Sequence, residues 1–277
     1  MAIGVVANTN ISSISASRIL ANNRASLEKA MERLASGKRI NSAADDAAGM
    51  AVAAKLRQDA RSLDQAVRNT NDAISMLNTY DGGSAEVENI LVRMRELAVQ
   101  VSNGTYASDD VAQASLEYDA LVSEIDRIAE ATRFNRISLS GESYTFFVGA
   151  ENSSTIGSNE IEVDFAAIDS SSLGLASGDI STASLAITNN ETIEDALNTL
   201  AGHRAEVGAL VNRMGHTASN LMNVSQRTKE ALSGIEDADY ASESAALARG
   251  MVLAQAGTAM LAQANQSPQY ILSLLRG

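Results

Sequence analysis

Cysteine and tryptophan are absent from these 277 residues, and proline occurs once, at Pro268. Without cysteine there is no disulfide framework, no thiolate nucleophile and no sulfur-based metal site. A single proline leaves almost every helical pattern uninterrupted, since proline is what most often breaks one. Aromatic residues make up only 4% of the chain, with four Phe and six Tyr. Its apolar content is mostly Ala, Leu, Ile and Val, which suits long packed helices. Lys and Arg are missing from Ile137 to His203, where ten Asp and Glu stand, a large share of the net charge of −13. Such an acidic tract repels phosphate, so nucleic acid is excluded as a partner. No unbroken run of 18 apolar residues occurs, from which no membrane span is expected. The first residues, Met1 to Asn8, have neither a basic region nor the apolar stretch of a cleaved secretory signal.

Heptad repeats occupy both ends. Leu247, Ala254, Leu261, Pro268 and Leu275 stand seven apart, with Met251, Thr258, Asn265 and Leu272 four residues on; Leu20, Leu27 and Leu34 repeat the step, with Met31 between the last two. Apolar residues at this spacing keep facing one partner helix, which is the seam of a coiled coil. From Ser244 to Gly277 the only charged residues are Arg249 and Arg276. A helix so poor in charge must be covered, and the chain offers little to cover it with. Self-assembly is the expectation.

Between the ends the patterns predict helices over about Ser15–Ala35, Asp46–Asn78, a resumption after a break at Asp81-Gly82-Gly83, and Val111–Glu130. The Asn41 to Asp46 segment reads as a turn and helix cap. Texture changes near Phe134, where all four Phe begin. Ile161-Glu162-Val163-Asp164-Phe165 alternates with the period of a half-buried strand. The predicted β element spans about 137–185. Thr192 with Asp195 resembles a capping box, starting a helix that runs to about Ser233 and breaks at Gly234. The fold class is therefore mainly α: a long antiparallel helical bundle or coiled coil built from the N- and C-terminal segments, with a small β-hairpin region in the middle. Residues 1–44 with 235–277 form one expected domain, and 45–234 the other.

Catalytic chemistry finds no footing. His203 and His216 are the only histidines, thirteen apart, and match no metal-ligand spacing; a zinc hydrolase needs a histidine pair and a general-base Glu. The carboxylate clusters at Asp45-Asp46, Asp109-Asp110 and Glu236-Asp237 lie where helices begin or break, as favourable partners of helix N-termini. No cofactor, metal or enzymatic activity is expected.

The run Met31 to Gly49, MERLASGKRINSAADDAAG, resembles the N-terminal signature of the bacterial flagellins, as does Arg95 to Gln100, RELAVQ. Ile235 to Ala241, IEDADYA, is similar to the matching C-terminal half, which continues through Gln255 to Thr258, Leu261 to Gln266 and Leu272 to Arg276. The resemblance implies an extracellular subunit of the flagellar filament, exported unfolded by the flagellar type III route without signal cleavage. It implies inner-core packing by Leu20, Leu27, Met31, Leu34, Leu247, Met251, Leu261, Leu272 and Leu275. The surrounding layer is the remaining helices with a hairpin that Phe146 to Ala150 resembles. A returning helix by about Glu191 leaves little room for a variable outer domain. Implied partners are other copies, an export chaperone at the C-terminal helix, and the filament cap and junction proteins. Arg93, Leu97 and Glu117 match the surface recognised by a vertebrate innate receptor, although Val92 stands where recognised forms usually carry Gln. The hook–filament junction protein shares the terminal helices and is the alternative; copy number separates the two.

Overall fold

The structure is a computed structural model that describes residues 9–149 and 159–276, the side chains of 267–276 lying outside that description. Five helices, α1 (Ile11–Ser36), α2 (Ala47–Ser102), α3 (Ser108–Ala131), α4 (Ala183–Glu236) and α5 (Tyr240–Arg276), enclose four short strands in the chain order. The strands are β1 (Arg133–Phe134), β2 (Ile137–Ser138), β3 (Ser143–Phe147) and β4 (Glu160–Asp164), placed between α3 and α4. The chain divides into two compact units, Met1–Gln58 with Thr228–Gly277, and Asp59–Arg227. The fold is mainly α, with its terminal helices paired and a small antiparallel strand region in the middle.

In the first unit α1 and α5 pack along their lengths. Asn10 caps α1 by accepting from the Ser13 amide at 3.0 Å, and Gly37 ends it in the left-handed conformation, φ 72°, its N–H donating to Arg33 O. Only glycine adopts that conformation without strain, which is why the helix stops there. The chain after Gly37 pairs with the chain after α4: Lys38 and Asp237 form an antiparallel bridge, Arg39 N donates to Glu236 O at 2.7 Å, and Ala238 N donates to Gly37 O at 3.0 Å. Both α1–α2 and α4–α5 breaks are thereby tied together.

The second unit holds an apolar core. From α2 it takes Leu77, Tyr80, Val87, Leu91 and Met94, from α3 Tyr118 and Ile125, and from α4 Ile193, Leu200 and Met214, all essentially inaccessible. Strands β3 and β4 pair antiparallel, Ser143 opposite Asp164 through Phe147 opposite Glu160, and Ile161 and Val163 point inward while their neighbours face solvent. Phe165 seals this side, its ring 5.3 Å from Tyr80 and 6.0 Å from Tyr144. The Tyr80 hydroxyl donates to Ala166 O at 2.8 Å, and burial pushes its pKa up to about 12.

Two expected breaks do not occur. Helix α2 runs without interruption through Asp81-Gly82-Gly83, because Leu77, Tyr80, Ser84, Val87 and Leu91 continue one fully buried stripe across it. Each glycine costs a helix about 1 kcal/mol, whereas each large side chain buried contributes about 1.5–3 kcal/mol. Packing wins. Gly83 also has a steric purpose, since the Thr132 side chain occupies the place a Cβ would take. Helix α4 begins at Ala183, well before Thr192: Thr182 caps it, its Oγ1 accepting from Leu185 N at 3.3 Å, and Ala186 and Ile193 are buried along the same stripe. Thr192 sits inside the helix, its hydroxyl donating to Thr188 O. Gly234 lies in open space within α4, which ends only at Glu236. The β element is accordingly shorter than 137–185: its last strand ends at Asp164, and buried turns carrying Leu173, Leu175 and Ile180 lead into α4.

Candidate assembly interface

The α1–α5 pair is the candidate site, and its seam is built differently from the apolar heptads. On α5 the residues turned toward α1 are Glu243, Leu247, Gly250, Ala254, Gly257, Leu261 and Ala264, spaced alternately four and three apart. On α1 they are Ala16, Leu20, Asn23, Leu27, Ala30 and Leu34. Large residues of α1 lie on glycines of α5. A Cβ at Gly257 would stand 3.2 Å from Leu20 Cδ1, and one at Gly250 3.4 Å from Leu27 Cδ1. Glycine at those two positions lets the backbones approach while the leucines fill the space, a knob set against a flattened hole.

Polar groups fix the register. Asn10 Nδ2 donates to Ala264 O at 2.7 Å, Ser13 Oγ to Asn265 Oδ1 at 2.7 Å, and Asn23 Nδ2 to Gly250 O at 2.8 Å. Arg33 Nη1 meets Glu243 Oε1 at 2.8 Å. Partners descend along α5 as they ascend along α1, so the pair is antiparallel. A slip by one turn would leave all four contacts unmade, and a hydrogen bond to a charged group contributes about 1.5–3 kcal/mol.

Of the residues expected to pack, Leu20 is buried and Leu27, Leu34, Leu247 and Leu261 are half-buried on the seam. Met31 and Met251 are not on it; they are 43% and 53% exposed, one position beyond the small residues Ala30 and Gly250 that take the seam instead. The side chains of Leu272 and Leu275 lie outside the described residues. Reading large apolar side chains as the seam misses Gly250 and Gly257, whose own seven-residue spacing is the signal, and Ala30 on α1. It also misses the asparagines Asn10 and Asn23, whose placement on the seam only three-dimensional register reveals.

What remains on the outside is apolar. Ile11, Ile14 and Ile19 on α1 are each more than 60% exposed, as are Val252 and Met260 on α5, with Leu253 and Tyr240 more than half exposed. Within Tyr240–Gln266 the most apolar stretch has mean hydropathy 1.2, and 6% of it is buried. By length and composition α5 therefore meets the requirement for a membrane span, although it contains no unbroken run of 18 apolar residues. Interspersed Ala, Gly, Thr and Ser interrupt the runs without lowering the average.

At the break between helices Glu236 is the hub. Its carboxylate, 7% exposed, pairs with Lys38 Nζ at 2.5 Å and Arg57 Nη2 at 2.5 Å, and Arg39 donates to Ile235 O at 2.7 Å. The Lys38 hydrogen bond first, and the Arg57 one after it, lower the Glu236 pKa from its ordinary 4.5 against the opposing effect of burial. Asp45 pairs with Lys29 at 2.5 Å and accepts from the amides of Asn41 and Ser42; Lys29 leads in holding it well below the carboxylate range. Asp46 Oδ1 accepts from Gly49 N at 2.8 Å at the start of α2, and Asp239 Oδ1 from Ala241 N at 2.9 Å at the start of α5. These carboxylates have local structural duties. Among the described residues no three Asp, Glu, His or Cys side chains converge as a metal site.

In the second unit Arg93 Nε donates to Glu117 Oε1 at 2.9 Å, and Arg93 also pairs with Glu96 at 3.0 Å. Leu97 does not share their surface. It is 2% exposed, on the same buried stripe as Leu91, Met94 and Val101, while Val92 and Leu116 are the exposed apolar neighbours at 47% and 64%.

Residues 7–144 match the N-terminal helical region of bacterial flagellin, and residues 190–275 match its C-terminal helical region. A flagellin of Halalkalibacterium halodurans is 42% identical over 98% of this chain and all of that protein. A flagellin of Listeria monocytogenes is 36% identical over 97% of this chain and 98% of its own length. The crystal structure of Bacillus cereus flagellin matches with a TM-score of 0.49 at 31% identity, over 56% of this chain and 88% of that one.

Proposed function

We propose, from the premise that this chain belongs to the bacterial flagellin family, that it polymerises through the outer face of its α1–α5 pair into the helical flagellar filament. The family is one of structural proteins, and a flagellar filament is extracellular. The observation that carries the mechanism is the apolar outer face left by α1 and α5, with Ile11, Ile14, Ile19, Val252 and Met260 more than 60% exposed. One chain cannot cover that face, because the seam already uses the opposite one. Each further copy buries it at about 1.5–3 kcal/mol per large side chain, which offsets the conformational entropy of ordering two long terminal helices. A contact between different faces of successive copies generates an open helical polymer when the rotation from copy to copy does not close into a ring.

Lipid is the rival cover for α5. Arg249, the tenth of the 27 residues from Tyr240 to Gln266, opposes that, since an arginine inside a span costs insertion up to about 2.5–3.5 kcal/mol at its centre, and the seam bonds place Asn23 and Arg33 of α1 against the same helix. Copies of the chain satisfy those groups and the apolar face together.

In this reading the terminal helices are unfolded during export, which proceeds by the flagellar type III route without signal cleavage, and they order on assembly. The resulting filament supports swimming. The C-terminal helix takes the export chaperone beforehand, and cap and junction proteins meet the same terminal helices. Leu272 and Leu275 belong to the packing set with Leu20, Leu27, Leu34, Leu247 and Leu261, and Met31 and Met251 face neighbouring copies. The Arg93–Glu117 pair is the surface available to a vertebrate innate receptor, with Leu97 buried on the same helix. The experiment is deletion of Ile271 to Gly277 followed by seeding: filaments disappear while the second unit keeps its helical circular dichroism. Normal filaments from the deletion overturn the reading.

A further inference from the structure

The turn between α2 and α3 contains the single Asn-Gly dipeptide of the chain, Asn103-Gly104. Residues 103–107 are all exposed. The Asn103 amide donates to Gln100 O at 3.3 Å as α2 ends, and the Thr105 amide donates to Asn103 O at 2.6 Å, a tight local turn. Gly104 has no atom within 4 Å of where a Cβ would be. Nothing therefore shields the Asn103 side-chain carbonyl from the nitrogen that follows it, and glycine leaves that nitrogen the widest conformational range.

We propose that Asn103 is a site of spontaneous chemical modification, converting to aspartate and isoaspartate through a cyclic imide. The Gly104 backbone nitrogen, on losing its proton to hydroxide, attacks the Asn103 side-chain carbonyl carbon. A carbon–nitrogen bond forms and closes a five-membered succinimide. The bond from that carbon to the side-chain nitrogen breaks, and the nitrogen leaves as ammonia after taking a proton from water. Water then opens the ring at one of its two carbonyls. Opening at one returns an ordinary peptide bond with an aspartate; opening at the other routes the main chain through the side chain as isoaspartate.

The molecule contains its own control. Asp81-Gly82 has a chemically similar sequence, and Gly82 also has open space around it. Asp81 lies within α2, however, where helical geometry holds the next backbone nitrogen away from the side chain and in the i→i−4 ladder. Its carboxylate is further held by Arg204 at 2.8 Å. The helix protects one dipeptide and the turn exposes the other. Product at Asn103 places a new negative charge just past the C-terminus of α2, the end at which the helix dipole disfavours anions.

The test uses the purified full-length chain incubated in mildly alkaline buffer, with peptide mass mapping for the amide-to-acid mass gain and isoaspartate detection by enzymatic methylation. Conversion concentrates in the Asn103 peptide, and Gly104→Ala, which has room for its methyl group, slows it at least tenfold. Tenfold corresponds to a rise of about 1.4 kcal/mol in the barrier. Circular dichroism of Gly104→Ala matching the parent shows that the fold is kept. Equal rates in the two proteins, or conversion no faster at Asn103 than at Asn41 or Asn69, overturn the proposal.

Discussion

The two units of this chain differ in charge as sharply as they differ in burial. Met1–Gln58 with Thr228–Gly277 carries eleven Lys and Arg against nine Asp and Glu, a net +2; Asp59–Arg227 carries ten against twenty-five, a net −15. The nearly neutral unit exposes isoleucines, valines and methionines along its helix pair, while the acidic one holds a large core of fully buried side chains, Leu77, Tyr80, Leu91, Tyr118 and Phe165 among them, with Leu116 and Val99 left outside it. A surface near zero net charge associates, and one far from zero stays in solution. The difference teaches that solubility and self-association are assigned to different stretches of one sequence. The stretch that must associate has been relieved of the charge that would oppose it.

The comparison breaks most completely if charge is moved to the associating unit. Val252→Asp with Met260→Asp, both on the exposed face of α5, is expected to abolish filament formation in a seeded sedimentation assay. Thermal unfolding of the second unit stays within about 0.5 kcal/mol of the parent, as for surface changes elsewhere. The reverse experiment sharpens it: Leu91→Ala in the acidic unit removes a fully buried side chain and costs about 2–5 kcal/mol by denaturant titration. Next in size, Gly257→Leu drives a side chain into Leu20 and loosens the α1–α5 pair by about 1–3 kcal/mol, measured as faster hydrogen exchange along both helices in the assembled polymer.

The smallest expected effect is electrostatic. Glu236→Gln removes the charge that Lys38 and Arg57 share and costs up to about 1 kcal/mol at neutral pH, since both cations are partly exposed and glutamine keeps a hydrogen bond to them. Because the folded-state pKa of Glu236 is depressed, its contribution is fully present above its ordinary value of 4.5 and is lost as pH falls below that through the lower folded value. Asp45 titrates in the same direction. The joint between Gly37 and Asp239 should therefore loosen below about pH 4.5 in the parent, and an acid titration that finds Glu236→Gln equally acid-sensitive removes Glu236 from that account.

The long helices and the alternating strand at Ile161 and Val163 were legible from periodicity alone, because each reflects a local preference that packing reinforces. The misreadings share one cause. Gly82 and Gly83 look like a break, Thr192 like a cap and Met251 like a seam residue when each is judged by its own type. In the fold, the buried stripe from Leu77 to Leu91 overrides the glycines, and Ala186 and Ile193 extend α4 back past Thr192. Gly250 and Gly257 win the seam because their smallness fits Leu27 and Leu20. What a residue lacks is visible in a sequence only once the neighbour that fills the space is known.

Hydrogen exchange, compared between dilute monomer and assembled polymer, tests most directly whether α1 and α5 take their order from other copies. Amides of Leu20 to Leu34 and Leu247 to Leu261 should exchange rapidly in the monomer and become protected in the polymer, while those of Leu77 to Met94 are protected in both. Equal protection of α1 and α5 in the two states would contradict the account.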